Sequence, residues 1–318
     1  MGVIMNTRTR TLAHSGLLLL TALIWGVAFV AQTTGGDMVG AFTFTSVRFL
    51  IAATVFAVVV LIRMKRVQGR NLRVLFTGGA VCGILLSLAT NLQQLGLNYG
   101  TSAGKAGFIT TTYIVLVPVV AFFFLKRRSG WNVWVGVVIA LVSLYLMCIN
   151  ESLSFRMSDL LVLACAVAFT AQILCIDHFA PRTDPIELSC IQFAVCGLLS
   201  AIPMCAVEIA PNAASWAAAL SMWDPWIPLL YAAVLSGGLG YTLQTIGQKG
   251  VSPTIASLMM SFESVFAVLA GWVILHQALS ARELIGCGLM LVAVVMAQLP
   301  NRHAAQKEHA IEPPDLEK

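Results

Sequence analysis

The chain has 318 residues, 58% of them hydrophobic and 10% charged, with a formal net charge of +5 and a mean hydropathy of +0.87. Soluble domains carry about 25% charged residues, so a water-soluble enzyme or binding module is excluded: there is too little polar surface to cover its core. The positive balance is no nucleic-acid signature, because the basic residues lie between apolar runs and form no single patch.

A helix needs about 20 apolar residues to cross the hydrocarbon core. Such runs fall at 13–34, 39–62, 74–97, 102–125, 132–149, 158–178, 186–207, 226–247, 253–275 and 284–299, which predicts an all-α integral membrane protein with ten transmembrane helices. Breakers and charges separate them, as in "TTGGD", "RMKRVQGRNLR", "KRRSG" and "APRTDP". The first run follows a basic stretch, as a secretory leader would. Its wording returns inside the chain, however, so it is expected to stay as a helix. Beyond Pro300 the polar segment 301–318 is expected to be a disordered cytoplasmic tail. The eight cysteines form no CxxC pair and read as small buried hydrophobes, not as metal ligands or disulfides.

Loop charge predicts the orientation. With the N-terminus in the cytoplasm, Arg8, Arg10, Arg63, Lys65, Arg66, Arg70, Arg73, Lys126, Arg127, Arg128, Arg182, Lys249 and three tail residues fall inside. Only Arg156 and Arg282 fall outside. Both termini are therefore expected in the cytoplasm.

The chain repeats itself. "GVAFVAQ" (26–32) returns as "AVAFTAQ" (166–172), "SVRFL" (46–50) as "CIQFA" (190–194), and "LQQLG" (92–96) as "LQTIG" (243–247). "WVGVVIALVSLYLM" (134–147) likewise answers "LIGCGLMLVAVVMA" (284–297). The halves are thus 1–150 and 151–300, with five helices each. Five is odd, so the second half enters from the opposite face, and the two are inverted about an axis in the membrane plane.

The segments 105–146 and 251–291, with "WG-x-x-F" at 25–29 and "RF" at 48–49, resemble EamA-type members of the drug/metabolite transporter superfamily. The resemblance covers about residues 13–299. It implies a carrier of amino acids, other metabolites or drugs in the inner membrane of bacteria, frequently working outward. Two departures stand out. The glutamate the family often has at the ends of helices four and nine is here Arg127 and Gln277. The family's "EP" in helix nine is Glu263–Ser264, so the proline that would kink this helix is missing.

Glu263 is the one acidic residue deep in a span, where an anion costs a few kcal/mol on insertion scales. It is expected to couple protons or bind a substrate amine, or else to hold helices together. Lys105 is expected to snorkel from the start of helix four or to meet a substrate carboxylate at a cavity mouth. Arg48, facing the neutral repeat partner Gln192, reads as a structural anchor. The pathway is expected from aromatic and neutral polar residues in both halves: Trp25, Phe29, Gln32, Asn91, Gln94 and Tyr113, with Gln172, Tyr241 and Gln244. Gln93 is placed on another face. Glycines 78, 79 and 83, loosely mirrored by 237, 238 and 240, point to close packing of helices three and eight, and helices five and ten read as lipid-facing scaffold.

These readings predict a secondary active transporter that exports a small metabolite, amino acid or drug by alternating access. No Walker A phrase occurs, so the energy is expected from protons or the substrate's own gradient. No enzyme, cofactor or metal site is expected. Partners are the substrate, protons and the lipid bilayer, and the chain is a monomer or homodimer. Two other classes compete. An intramembrane protease would rest on Ser236–Gly237 with His276, but Val234 stands where its glycine belongs. A non-transporting membrane subunit would show no flux.

Overall fold

The computed structural model describes residues 7–63, 71–101, 103–127, 129–148, 156–275 and 280–299. Among them every regular element is helical. Spans one to three are α1 (Thr7–Val39), α2 (Ala41–Arg63) and α3 (Leu72–Asn98). Span four comes in two pieces, α4 (Ala103–Thr111) and α5 (Tyr113–Leu125); span five is α6 (Trp131–Cys148). Spans six and seven are α7 (Met157–Phe179) and α8 (Pro185–Pro203), which runs on through a π-helical turn, Met204–Ile209. The short α9 (Ala213–Ser221), not anticipated from hydropathy, precedes span eight. That span joins α10 (Trp226–Leu230), a π-helical stretch (Tyr231–Gly240) and α11 (Tyr241–Gln248). Span nine is again split, into α12 (Pro253–Met260) and α13 (Glu263–Leu275), and α14 (Ala281–Gln298) is span ten. Nine of the described helical stretches are long and apolar enough to cross a membrane, and the shorter apolar helix Trp131–Met147 supplies the tenth.

Local chemistry sets where spans start. Asn71, Asp184, Ser252 and Ser280 each accept the first free N–H groups of the helix that follows, and proline opens two of those helices, at 185 and 253. Hydroxyls set where spans four and nine break. Thr112 gives both its Oγ1 (2.6 Å) and its N (3.2 Å) to the Ile109 carbonyl. Ser261 Oγ donates to Leu258 O at 2.6 Å and Phe262 N to Met259 O at 3.3 Å. Taking the carbonyl three residues back tightens the turn and interrupts the ladder. The expectation that span nine would stay unkinked for want of a proline is therefore corrected.

Spans five and ten pack along each other, as do two and seven. Span three packs on six and seven, eight on one and two, one on nine, and six on four. Exchanging the halves turns each of these pairings into itself or into another of them, as two inverted five-helix repeats require. The five–ten seam shows it atom by atom. A Cβ on Gly136 would lie 2.7 Å from the Ala293 carbonyl, and one on Gly286 would lie 3.0 Å from that of Ser143. Glycine lets both backbones approach, and Ser143 Oγ donates to Gly286 O at 2.6 Å.

Polar contacts sort to two faces. On the face where α1 begins, Arg63 pairs with Asp184, Arg127 with Asp177, and Lys249 donates to Thr183 O. On the far face Glu208 caps α2 through Phe42 N, Thr43 N and Thr43 Oγ1, and Lys105 pairs with Asp159. Between the faces apolar side chains point outward (Leu291 is 58% exposed), while Gln94, Gln172 and Gln192 are fully buried. That is the inverse of a soluble protein, as hydrocarbon solvent demands. The expected boundary at 150/151, the tail 301–318, Lys65, Arg66, Arg70, Arg128, His276 and Gln277 lie outside the described residues.

Candidate functional site

Spans one, eight and nine form one group and spans three, four and six another; a cavity lies between them, and span two reaches its side. The first group supplies Trp25, Phe29 and Gln32, then Ser236, Tyr241 and Gln244, then Met260 and Glu263. The second supplies Gln93, Thr110, Tyr113, Phe169 and Ile173, and span two supplies Arg48. No lining residue comes from spans five or ten.

The breaks in spans four and nine meet at the centre. Tyr113 and Glu263 are the first residues of the second pieces, α5 and α13, so they hold equivalent places in the two halves. Tyr113 Oη donates to Glu263 Oε1 at 3.4 Å, and Thr111 Oγ1 donates to the same oxygen at 3.1 Å. Glu263 is 4% exposed and no ion pair joins it to another described residue. Beside it the aromatic wall is ordered by two contacts. Trp25 donates its indole N–H to Ser236 O at 3.1 Å, and its ring lies 4.6 Å from that of Tyr241. Tyr241 in turn lies 5.8 Å from Phe49.

Amide bonds cross between the two groups above and below the cavity. Toward the far face, span three reaches span one: Gln94 Nε2 donates to Gln32 O at 3.0 Å and Asn98 Nδ2 to Gly36 O at 2.9 Å. Toward the face where α1 begins, span eight reaches span six: Gln248 Nε2 donates to Ile173 O at 3.2 Å and Gln244 Nε2 to Gln172 Oε1 at 3.3 Å. Span three to one is the inverted-repeat equivalent of span eight to six. One side-chain pair differs. Gln172–Gln244 is bonded, whereas in the corresponding Gln32 and Gln93 the latter turns to Thr110 Oγ1 at 3.0 Å and Gln32 Oε1 is left without a partner.

Of the residues expected on a pathway, Trp25, Phe29, Gln32, Tyr113, Tyr241, Gln244 and Glu263 converge on this cavity. Four do not. Asn91 donates to Ser87 O and to Ser200 Oγ, both at 2.7 Å, and so ties span three to span seven. Gln94 serves the crossing bond just described, and Gln172 stands behind Gln244. Lys105 pairs with Asp159 at 2.5 Å, an acid with no exposed side-chain surface that also accepts from Thr101 and from Arg156 N. It neither snorkels freely nor lines the cavity. Arg48, Gln93, Thr110, Phe169, Ile173, Ser236 and Met260 line it without having been singled out for it. For two of these the signal was in the repeat: Phe169 answers Phe29, and Gln93 answers Gln244.

Comparison with known proteins agrees with this architecture. The model of the EamA-like transporter family matches twice, at residues 15–149 and 156–298. A protein of Archaeoglobus fulgidus named as an uncharacterized transporter is 30% identical over 282 residues, 89% of this chain and 84% of that one. The uncharacterized transporter YoaV of Bacillus subtilis is 23% identical, over 88% of this chain and 94% of its own. A crystal structure of a protein 17% identical to this chain superposes on 92% of it and 98% of itself with a TM-score of 0.74, which bears on the fold alone.

Proposed function

The chain belongs to the EamA-like transporter family, and on that premise we propose that it exports a small metabolite, amino acid or drug by alternating access. The observation that carries this reading is the cavity between two inverted halves, bridged above by span three to span one and below by span eight to span six. Residues 1–150 and 151–300 exchange conformations about the axis where Tyr113 meets Glu263. Opening the upper bridges exposes the cavity to one side, and opening the lower ones exposes it to the other. The mismatched glutamines support this: one pair is made while its equivalent is not, as two states that trade the bond would have it.

Glu263 is the group we assign to the coupling proton. It is buried, it is the one acid on the described cavity wall, and it sits where the broken spans four and nine leave backbone free to move. The chain lies in the cell membrane with both termini in the cytoplasm, a reading supported by the basic residues between spans.

The test is flux. Cells overproducing the chain and cells lacking it are compared by metabolite profiling, and compounds that differ are loaded into proteoliposomes holding the purified protein. Efflux above empty liposomes, dependent on an imposed pH gradient, is expected. Vesicles that retain every candidate compound would point instead to a non-transporting subunit.

A further inference from the structure

Arg48 was read from the sequence as an anchor, and the structure does not treat it as one. It lies on span two at 3% exposure and lines the cavity. Its guanidinium carbon sits 5.3 Å from the Phe44 ring centroid and 4.9 Å from that of Phe49. No hydrogen bond or ion pair joins that guanidinium to any described residue, and its buried Nε has no partner. Anchoring arginines in apolar surroundings are held by carboxylates or carbonyls, because an unpaired buried cation is costly. Aromatic faces offset part of that cost and leave the planar edge of the fork unused.

The repeat makes the point sharper. The equivalent residue in the second half is Gln192, which is also fully buried and has neither amide atom bonded. The second half builds the equivalent position with a neutral side chain that does not line the cavity, so the repeat does not call for the charge at 48. Among the described lining residues Arg48 is the one cation and Glu263 the one acid. Glu263 already accepts from Thr111 and Tyr113, and no salt bridge reaches from it to Arg48.

We propose that Arg48 is the receptor for the carboxylate of a small organic monoanion, whose apolar body lies against the ring wall of Trp25, Phe29, Phe169 and Tyr241. A guanidinium edge matches a carboxylate with two parallel N–H donors. A single cation in a cavity that also holds an acid suits one negative charge and disfavours a phosphate dianion. The word substrate for this anion rests on the transport reading, but its binding does not.

The experiment uses the full chain, purified in detergent near neutral pH. Thermal unfolding and calorimetric titration are run with benzoate, phenylacetate and indole-3-acetate, each against its own carboxamide. At least one carboxylate is expected to raise the melting temperature saturably while its amide does not. In Arg48→Gln that carboxylate should bind at least about tenfold more weakly, and Arg48→Lys, which keeps the charge without the fork, should fall between. Amides that bind as well as their carboxylates, no response to any carboxylate, or undiminished binding in Arg48→Gln would each overturn the proposal. Should Arg48→Gln fail to fold, the carboxylate-to-amide ratio in the wild type and in Arg48→Lys still decides, since a merely structural arginine would not move that ratio. Proteoliposome flux separates the two readings. A carboxylate that binds through Arg48 but is not moved leaves the site standing and removes transport. Flux of other compounds, with no carboxylate bound through Arg48, does the reverse.

Discussion

Spans five and ten and spans four and nine are both pairs of repeat equivalents, yet the two pairs are built on opposite rules. The five–ten seam is symmetric in its backbone contacts, with Gly136 against the Ala293 carbonyl and Gly286 against that of Ser143, and the Ser143 hydroxyl adds a bond on one side. At the four–nine contact one half presents Tyr113 and the other Glu263, and beside them Arg48 faces the cavity where the second half has Gln192. Where the repeat is scaffold, equal packing lets the two halves be interchanged at little cost. Where it is chamber wall, unequal side chains give the cavity one acid and one base and so a polarity that a perfect duplicate would lack.

The largest effect should come from erasing that inequality. Glu263→Gln keeps the acceptor for Thr111 and Tyr113 but removes the titratable group, and the pH-gradient-driven part of flux should vanish while membrane insertion, followed by expression and elution volume, stays normal. Unaltered transport would end the coupling role.

The symmetric seam invites a test of equality. Gly136→Ala brings a methyl group to 2.7 Å from a backbone carbonyl and Gly286→Ala brings one to 3.0 Å from the equivalent carbonyl and against the Met147 side chain, and each should destabilise by about 1 to 3 kcal/mol, with the two losses alike, in detergent unfolding. Losses that differ severalfold would show the seam to be less symmetric than its contacts.

Next comes the tie at the far face. Lys105→Met strips Asp159 of its charged partner while leaving its Thr101 and Arg156 bonds, and should cost about 1 to 3 kcal/mol in the same unfolding measurement. The corresponding tie at the other face, Arg127 with Asp177, is 55% exposed on the arginine side.

Smaller still, and opposite in sign, are the bridges. Gln94→Ala removes one bond above the cavity and Gln248→Ala one below, each worth about 0.6 kcal/mol, or roughly a threefold change in population. A cysteine introduced at Ser236 should be labelled faster from the far face in the first variant and from the other face in the second. The double variant should return to wild-type behaviour; rates that move in the same direction would break the reciprocal picture. Arg127→Gln comes last, with a loss at or below about 0.5 kcal/mol, because water screens that pair.

Much of the fold was legible because hydrocarbon is an unforgiving solvent. The apolar runs at 39–62 and 74–97 became Ala41–Arg63 and Leu72–Asn98, and the returning phrase "GVAFVAQ" marked equivalent turns of spans one and six. The breaks were harder to see. A threonine or serine bonding its own backbone three residues back looks, in sequence, like any other small polar residue in a span. The site was legible at Trp25 from its size and at Phe29 and Gln244 from repetition as well. It was not at Asn91, Gln93 and Gln94, whose side chains step about 100° round the helix per residue. A small error in the estimated rotation exchanges the one that faces the cavity for one that ties span three to its neighbours.

Sequence alone determined that the chain spans the bilayer ten times as two inverted halves, since hydropathy and repetition are local properties, written in the order of residues and independent of what packs on what. Only the tertiary structure decided which polar groups are satisfied by a neighbouring helix and which are left facing the cavity. That is why Lys105 turned out to be paired and Arg48 unpaired: the free energy of a buried charge is set by the partner that the fold brings to it, and residue order does not name that partner.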